Sequence, residues 1–443
     1  MAVVEAPSVP QRRDVEDVLR AGGLSAFHRR AVLITGAAWT FVAMEILLVG
    51  FTLPIFIALW NLDGRWAGFV GSAALAGSLV GSLVLGRVAD RVGRRRIFLA
   101  SILWYSLFTA LTALAWGPWS ILALRFLAGL GLGGMLVVDP ALLAEYVPPQ
   151  RRGRLLVFLD FFWPVGLLLA VGLSYVFLDV LGGEWRWLYV AAAFPAFLAF
   201  AARLRLPESP YWLARRGRRE EAADVLEQIT GERPAPETID VAPQPRGSIR
   251  ELFAPALRRT SLLVIGVWAA LNISYYGLFL WLPFVLLERD LTLNVYVLLA
   301  LTALAQFPGY GASIWLVERW GRKPTLATFL ALGGVSGLVF AAADSGPVFV
   351  AALFFVAFFN LGAWGAVYPY TAELFPTRLR ASAFGMAEGI GKAFAIWGPY
   401  LFGDLQDATG DTFWSLVFVA AVMATGALIA IVFGRETRGT KLA

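Results

Sequence analysis

The chain lacks cysteine, has a single histidine and carries few charges. None of its 443 residues is cysteine, which excludes disulfides, thiolate metal sites and cysteine nucleophiles. The one histidine, His28, precedes the first long apolar run, so any proton handling within the apolar segments must rest on carboxylates. Charged residues make up only 15% of the chain, against 59% apolar residues. That balance leaves too little polar surface for a water-soluble globular protein.

The apolar residues form runs of about 20 residues, the length that crosses a bilayer. The chain is therefore predicted to be an all-α membrane protein with twelve transmembrane helices, divided by a charged linker over 206–259. The predicted spans are 31–58, 67–87, 97–116, 120–143, 155–178, 187–205, 260–287, 294–317, 325–342, 347–370, 382–403 and 413–434. The predicted domains are a tail over 1–30, a six-helix bundle over 31–205, the linker, a second bundle over 260–434 and a tail over 435–443.

The positions of the basic residues predict which side of the membrane each loop occupies. With both termini placed in the cytoplasm, 32 of the 37 Lys and Arg residues fall on that side. The other side holds Arg65, Arg186 and Arg289, while Arg125 and Lys392 lie within spans. The positive-inside rule therefore predicts cytoplasmic termini. The net charge of +6 is explained by this topology and by anionic lipid headgroups, without a nucleic-acid partner.

Motifs recur at matching places in the two halves, which indicates a duplication. The loop after span 2 reads Gly-Arg-Val-Ala-Asp-Arg-Val-Gly-Arg-Arg-Arg, and a degraded copy follows span 8. A Glu-x6-Arg pair follows span 4 and again span 10, and a weaker third pair of Glu-containing segments follows spans 6 and 12. The positions concerned are Asp90, Arg94, Glu318 and Arg322 in the first pair, and Glu145, Arg152, Glu373 and Arg380 in the second.

With these motifs the chain resembles the transporters of the major facilitator superfamily. The resemblance implies two six-helix bundles around a central site that opens alternately to each side. It also implies that the paired loop residues form a cytoplasmic gate, in which Asp90 caps the N-terminus of helix 11 in the opposite bundle. The segments after spans 6 and 12 look like those of sugar porters and organic-ion transporters. Other segments are most similar to bacterial metabolite and niacin transporters related to synaptic-vesicle transporter-like proteins: 133–145, 274–277, 306–310 and 359–365.

Three ionisable residues within the spans are predicted to couple transport to protons. Glu45 lies midway along span 1 among apolar neighbours, where an ionisable group costs roughly 2.5–3.5 kcal/mol on insertion scales. Arg125 opens an Arg-x3-Gly-x-Gly-x-Gly pattern on span 4, which in the resembled superfamily accompanies proton linkage. Asp139 lies further along the same span. The alternative for each is a structural role, as a packed hydrogen-bonded acid or a paired arginine. Asp160, at a depth comparable to Asp139, fits either interpretation.

The predicted solute site centres on a charged pair in span 11. Glu388 and Lys392 are four residues apart, an order and spacing that favours an ion pair on one helix face. The resemblance implies that Lys392 attracts an anionic solute and that Glu388 competes for it; a fully neutralised pair would instead favour cations. Aromatic and amide side chains are predicted to complete the pocket: Trp163, Tyr275, Tyr276, Trp364, Asn272 and Asn360.

The sequence thus predicts a proton-coupled transporter for a small organic metabolite, aromatic or carboxylated and resembling nicotinate. A sugar or polyol carrier, an organic-cation carrier and a non-transporting membrane receptor are the alternatives. No P-loop, metal-ligand cluster or activated nucleophile is found, so neither an enzyme nor a metal or cofactor is predicted. The expected partners are the solute, protons and membrane lipids, for a monomer in the cytoplasmic membrane.

Overall fold

The structure is a computed structural model that describes residues 13–195, 197–198, 202, 205–241, 248–289, 291 and 293–438. Parts of four predicted segments lie outside the described residues. These are the beginning of the N-terminal tail, the end of the sixth span, a short piece of the linker and the end of the C-terminal tail.

Helices make up nearly all of the described chain. They are α1 (Val15–Gly22), α2 (Ala26–Trp60), α3 (Gly64–Val92), α4 (Arg94–Thr112), α5 (Pro118–Tyr146), α6 (Pro149–Asp160), α7 (Phe162–Ser174), α8 (Trp185–Ala192), α9 (Pro210–Arg215), α10 (Arg219–Thr230), α11 (Ile249–Leu252), α12 (Arg258–Leu287), α13 (Val295–Arg319), α14 (Arg322–Ala342), α15 (Gly346–Leu374), α16 (Arg380–Ala395), α17 (Trp397–Thr409) and α18 (Thr412–Phe433). A π-helical turn (Tyr175–Val180) and two 3₁₀ turns (Pro236–Thr238 and Thr377–Leu379) add to them, and β1 (Arg13–Asp14) pairs in parallel with β2 (Ile239–Asp240).

Within the described residues, nine helical segments are long and apolar enough to cross a membrane, counting Pro149–Val180 as one. Each coincides with a predicted span. The three other predicted spans correspond to α4, to α8 with the residues after it, and to α16 together with α17. The chain is therefore an all-helical, multi-pass membrane protein.

The helices pack into two sets that meet at four places. Helices α2–α8 pack mainly on one another, as do helices α12–α18, and we call these the first and second helix sets. The sets touch through α2 with α12, α3 with α16 and α17, and α7 with α13. The linker helices α9–α11 lie at one end of the spans, which we call the linker face; the other end is the opposite face.

Glycines allow the helices of the first set to approach closely. On α5, a Cβ added at Gly133 would lie 2.0 Å from the Ser78 carbonyl oxygen of α3. A Cβ at Gly129 would lie 2.3 Å from the Ala74 carbonyl oxygen of the same helix. Within lipid no hydrophobic effect drives helices together. Small residues instead let two backbones approach closely, so van der Waals packing supplies the attraction. The glycine pattern after Arg125 therefore serves helix packing.

Two prolines break long helices, one in each set. Pro164 has no N–H to bond the Asp160 carbonyl, and the chain departs from the α-helix between α6 and α7. Pro399 does the same to the Ala395 carbonyl, between α16 and α17. The Ser72 hydroxyl of α3 donates to the carbonyl of Ile396 over 2.6 Å at the second break. These breaks free backbone carbonyls on helices that contact the other set.

Replacing Gly133 by Ala should destabilise the protein, because the new methyl group would overlap the backbone of α3. Overpacking of this kind costs roughly 1–3 kcal/mol. The matched control is Gly172→Ala on α7, where an added Cβ would meet nothing within 4 Å. In thermal denaturation of the detergent-solubilised protein, Gly133→Ala should melt earlier and Gly172→Ala should not. Equal melting of both variants would contradict the packing described.

Candidate functional site

The Glu45 side chain of α2 forms an ion pair with Arg125 of α5 inside the first helix set. Both side chains have 0% exposure. One guanidinium nitrogen bonds the Glu45 carboxylate, and another donates to the Glu45 carbonyl oxygen over 2.9 Å. The Tyr189 ring of α8 lies 5.6 Å from the guanidinium carbon, and its hydroxyl bonds Thr52 over 2.9 Å. The acid that is isolated in the sequence therefore has a cationic partner on another helix.

Asp139, the third predicted proton-coupling residue, lies at another level of α5. It is 14 positions beyond Arg125 (139 − 125), which is about 21 Å along a helix that rises about 1.5 Å per residue. Its carboxyl has 0% exposure, and neither oxygen has a hydrogen-bond partner among the described residues. The structure therefore does not join Asp139 directly to the Glu45–Arg125 pair.

Lys392 and Glu388 lie one turn apart on α16, beside open space. The Lys392 Nζ atom lies 3.1 Å from Glu388 Oε1, and the two side chains are 9% and 36% exposed. Within the described part of the chain, Nζ makes no hydrogen bond of good geometry, so its N–H groups remain available to a ligand. A Cβ added at Gly385, on the preceding turn, would meet nothing within 4 Å. Glu388 thus borders open space, while the Lys392 Nζ atom itself is buried behind it.

Asp160 belongs to the same region but comes from the first helix set. Its buried carboxylate interacts electrostatically with Glu388, and the Tyr368 hydroxyl interacts with both carboxylates. Asp160 is the last residue of α6, where the helix breaks before Pro164. Asp160 was not among the predicted solute-site residues, although Pro164, four residues later, marks a possible helix break in the sequence. The region therefore holds two carboxylates and one ammonium group.

Two of the predicted aromatic residues join the helix sets directly. The indole nitrogen of Trp163 on α7 donates to the Tyr275 hydroxyl of α12 over 2.6 Å, and both residues are buried. Trp39 packs against Trp163 with ring centroids 6.0 Å apart. Tyr276 is half-buried, packs edge-on against Tyr275 and interacts electrostatically with Glu388. Tyr276 is the member of this group that stands closest to the charged residues.

The other predicted aromatic residue, Trp364, belongs to a cluster in the second set. The rings of Trp364 and Tyr368 on α15 both lie 5.6 Å from Trp268 of α12, edge-on. Tyr368 also stacks on Phe384 of α16, with centroids 6.2 Å apart. Trp364, Tyr368 and Phe384 are half-buried. Trp268 and Phe384 were not predicted as site residues, because only the fold shows that α12, α15 and α16 meet.

The two predicted amides lie within the second set. Asn272 is 4% exposed and its Nδ2 donates to the Trp268 carbonyl over 2.8 Å. Asn360 has 0% exposure and its Nδ2 donates to the Ser274 hydroxyl over 3.2 Å. Asn272 therefore supports the aromatic cluster, and Asn360 is held further inside the set.

The repeated loop motifs form two equivalent networks at the linker face. In the first set, Arg94 lies 2.7 Å from the Glu145 carboxylate. In the second set, Arg322 lies 2.9 Å from the Glu373 carboxylate and 3.1 Å from that of Glu318. Each arginine begins one helix and each principal acid ends another, so the ion pairs tie neighbouring helices of one set together. The duplication seen in the sequence is thus repeated in three dimensions.

Glu208 and Glu436 complete these networks, although sequence reasoning ranked their segments as the weakest pair. The Glu208 carboxylate accepts from the Arg95 N–H over 3.0 Å, at the first turn of α4. The Glu436 carboxylate accepts from the N–H groups of Arg322 and Lys323 over 3.0 and 3.2 Å, at the first turn of α14. Both carboxylates satisfy N–H groups that a helix N-terminus leaves unpaired.

Glycine precedes both capped helices because of the backbone angle required there. Gly93 and Gly321 each have a φ of 115°, a region that favours glycine. A Cβ would also lie 2.4 Å from the Glu208 carboxylate at the first position and 2.5 Å from that of Glu436 at the second. Glycine therefore lets each carboxylate approach the end of the helix.

The remaining predicted gate residues have contacts within their own half of the chain. Asp90 has an exposed side chain that lies 3.4 Å from Arg94, so its predicted capping of helix 11 stays a prediction. Arg152 interacts electrostatically with Tyr211 of α9, where burial raises the pKa of Tyr211 to about 12. Arg380 donates to a backbone carbonyl five residues earlier over 3.4 Å.

At the opposite face, two aspartates of the second set bind the start of α3. The Asp407 carboxylate accepts from the N–H groups of Gly64 and Arg65, each over 2.6 Å. The Arg65 guanidinium donates to Asp404 over 2.8 Å. We call these four residues the opposite-face clasp. Because the clasp crosses between the two sets, it holds them together on this face.

The family described as "Sugar (and other) transporter" matches residues 60–443. The chain belongs to this family. The niacin transporter NiaP of Acinetobacter baylyi is 34% identical, over 95% of this chain and 96% of that protein. The putative niacin/nicotinamide transporter NiaP of Bacillus subtilis is 32% identical, over 94% and 98%. The synaptic vesicle 2-related protein of Xenopus laevis is 31% identical, over 87% and 75%. These findings confirm the resemblance predicted from the motifs.

Among solved structures, the xylose transporter XylE from E. coli in an inward open conformation has the same fold. The TM-score is 0.77 at 20% sequence identity, over 94% of this chain and 98% of that one. The chain therefore has the fold of the major facilitator transporters.

Removing the Asp407 carboxylate should loosen the contact between the helix sets at the opposite face, because Gly64 and Arg65 lose their acceptor. Since the chain has no cysteine, Ser72→Cys provides a single thiol at the boundary between the sets. A membrane-impermeant maleimide applied from the opposite face should label this thiol faster when Asp407→Ala is added. The control is Asp344→Ala, an exposed acid of the same face. Unchanged labelling in the Asp407 variant would contradict the role of the clasp.

Proposed function

We propose that the protein is a proton-coupled secondary transporter for a small aromatic or carboxylated solute similar to nicotinate. The solute would cross the cytoplasmic membrane by alternating access between the two helix sets. The observation that carries the proposal is the buried Lys392 ammonium group, which has N–H groups available beside half-buried aromatic rings. Relatives named as niacin transporters, aligned along nearly the whole chain, support the same solute class.

The chemistry of the charged region fits a planar acid. A carboxylate on the solute would take the N–H groups of Lys392, in competition with Glu388. The rings of Tyr276, Trp364 and Tyr368 offer flat faces on which an aromatic solute stacks. Ligand sites commonly combine such apolar walls with a few fixed polar groups. Lys392 would thus set the charge preference, and the rings would set the shape.

The Glu45–Arg125 pair is the proposed site of proton coupling. A buried ion pair in the membrane is stable only while both members are charged and joined. Protonation of Glu45 would remove most of its attraction for Arg125 and so free α2 to move against α5. Proton binding and helix movement would then be linked in one step.

The proposed topology has twelve membrane helices in two bundles, with the linker face in the cytoplasm. Within the described residues nine segments meet the length and hydropathy needed, and α4, α8 and α16 with α17 would supply the three further crossings. The sequence supports the sidedness, since it assigns 32 of the 37 basic residues to the cytoplasmic tails, loops and linker. With the clasp joined at the opposite face, the conformation described here would be open towards the cytoplasm.

Glu45→Gln should abolish uphill accumulation while keeping solute exchange. Glutamine can still accept from Arg125 through its amide oxygen, so the buried arginine keeps a partner, but the side chain can no longer take a proton. The measurement is uptake of labelled nicotinate into proteoliposomes under an imposed pH gradient, compared with counterflow without a gradient. Glu288→Gln, at the end of α12, is the control. Undiminished accumulation in the Glu45 variant would disprove the assignment.

Lys392→Ala should weaken the binding of acids far more than the binding of cations. A hydrogen bond to a charged group contributes roughly 1.5–3 kcal/mol, which corresponds to a tenfold or greater loss of affinity. Glu388→Gln should keep or improve acid binding, since a competitor for Lys392 is removed. Affinities for nicotinate and for a quaternary amine would be measured in both variants. Intact acid affinity in Lys392→Ala, with cation binding lost in Glu388→Gln, would favour an organic-cation carrier instead.

A panel of solutes separates the remaining alternatives. Thermal stabilisation by nicotinate-like acids supports the proposal, whereas stabilisation by sugars or polyols alone would support a sugar carrier. A receptor would bind its ligand without moving it. Binding without any accumulation or counterflow in proteoliposomes would therefore replace the transport proposal with a receptor.

A further inference from the structure

Helix α4 carries a row of buried hydroxyl groups that the solute site does not use. Ser101, Tyr105 and Thr109 are spaced four residues apart, so they lie on one face of the helix. Their exposures are 1%, 0% and 0%. The Ser101 and Tyr105 hydroxyls have no hydrogen-bond partner among the described residues, while the Thr109 hydroxyl interacts with the Glu45 carboxylate. We call these three residues the hydroxyl row.

The hydroxyl row leads from one buried carboxyl group to another. The Tyr105 hydroxyl interacts electrostatically with both Glu45 and Asp139. Thr109 lies beside the Glu45 carboxylate. One Glu45 oxygen and both Asp139 oxygens have no hydrogen-bond partner within the described chain.

Close packing holds the row against α5. A Cβ added at Gly134 would lie 2.3 Å from the Ser101 hydroxyl. At Gly131 it would lie 2.8 Å from the Ser101 carbonyl oxygen and from the Tyr105 backbone nitrogen. The two glycines thus let the polar face of α4 lie directly on the helix that carries Arg125 and Asp139.

Such an arrangement is costly if it serves packing alone. A buried polar group without a partner costs about 1–3 kcal/mol, and apolar side chains of similar shape would avoid that cost. Here the Ser101 and Tyr105 hydroxyls, one Glu45 oxygen and both Asp139 oxygens lack a partner among the described residues, as does the Ser106 hydroxyl elsewhere on α4. The charged and titratable groups that face the row are Glu45, Arg125 and Tyr189 at one end and Asp139 at the other.

We propose that Tyr105 and the hydroxyl row carry protons between Asp139 and Glu45, along a route inside the first helix set that is separate from the solute site. Glu45, as the carboxylic acid, gives its proton to a hydroxyl oxygen of the row. Each hydroxyl accepts one proton and passes its own on, and because side chains four residues apart on a helix lie about 5–6 Å apart, a water molecule between neighbouring hydroxyls relays each transfer. The Asp139 carboxylate receives one proton, Glu45 is left as the carboxylate paired with Arg125, and the hydroxyls and water are unchanged. The inference rests on the proposed proton coupling at Glu45.

The route would place proton release at the linker-face side of the interior, which the proposed topology puts in the cytoplasm. Asp139 is seven residues from the end of α5 at the linker face, or about 10 Å. The solute would leave Lys392 between the helix sets. Proton and solute would therefore reach the cytoplasm by different paths.

Tyr105→Phe tests the proposal, because it removes the hydroxyl and keeps the ring. The variant should lose most of its pH-driven nicotinate uptake and most of its solute-induced proton movement in proteoliposomes. Nicotinate affinity and counterflow should remain at the wild-type level. Ser106→Ala is the control, since Ser106 is a buried hydroxyl of the same helix outside the row. Asp139→Asn should reproduce the loss, and Thr109→Val removes another hydroxyl of the row at equal volume.

The outcomes distinguish this proposal from the proposed function. The proposed role of the hydroxyl row would be wrong if Tyr105→Phe kept wild-type pH-driven uptake. It would also be wrong if Tyr105→Phe lost no more uptake than Ser106→Ala. Loss of counterflow together with uptake would show that Tyr105 is structural, which also overturns it. If Tyr105→Phe does not fold, the result with Thr109→Val decides by the same criteria. Coupled uptake that survives in Glu45→Gln would instead refute the coupling site itself.

Discussion

Pairing of charges inside the membrane is the constraint on which the rest of this structure depends. A single buried charge is expensive in lipid, and removing one partner from a buried pair costs about 3–5 kcal/mol. Glu45 and Arg125 meet this constraint on different helices, so their contact fixes α2 against α5. The glycines of α5 also let that helix pack closely against α3 and α4, so the helices around the pair are held in fixed positions. A change in the charge of Glu45 therefore acts on the packing of the whole first set.

The two sets share their framework and differ in their interior. The networks of Arg94 with Glu145 and of Arg322 with Glu373 are equivalent, as are the helix caps made by Glu208 and Glu436. One interior acid is repeated: Asp160 and Glu388 are 228 residues apart (388 − 160), the same separation as Glu145 and Glu373 (373 − 145). The other interior charges differ, since the first set alone holds the Glu45–Arg125 pair and the second alone holds Lys392. Duplication thus preserved what holds each set together, while most of the charged interior diverged.

Hydropathy predicted the spans well because lipid imposes a minimum length on every crossing helix. Span 260–287, for example, corresponds to Arg258–Leu287. The sequence did not predict which prolines interrupt a helix, since α5 continues through Pro140 while the chain breaks before Pro164 and Pro399. It also named Glu45 and Arg125 without pairing them, because their contact joins residues 80 positions apart. Asp160, Asp404 and Asp407 gained their roles only from contacts between the sets, which no local pattern encodes.

The contacts that close the two faces explain how such a molecule can alternate. At the opposite face, Asp407 of the second set caps the start of α3 in the first set. At the linker face, the resemblance implies the reciprocal contact, with Asp90 of the first set at the start of α16. Asp407 is a carboxylate at a helix N-terminus, an interaction that contributes about 0.3–2 kcal/mol, and the predicted Asp90 contact would be of the same kind. If the predicted contact forms as the clasp breaks, the two energies would largely cancel. The balance between the two states then lies within a few kcal/mol, a range that one proton and one bound solute can shift.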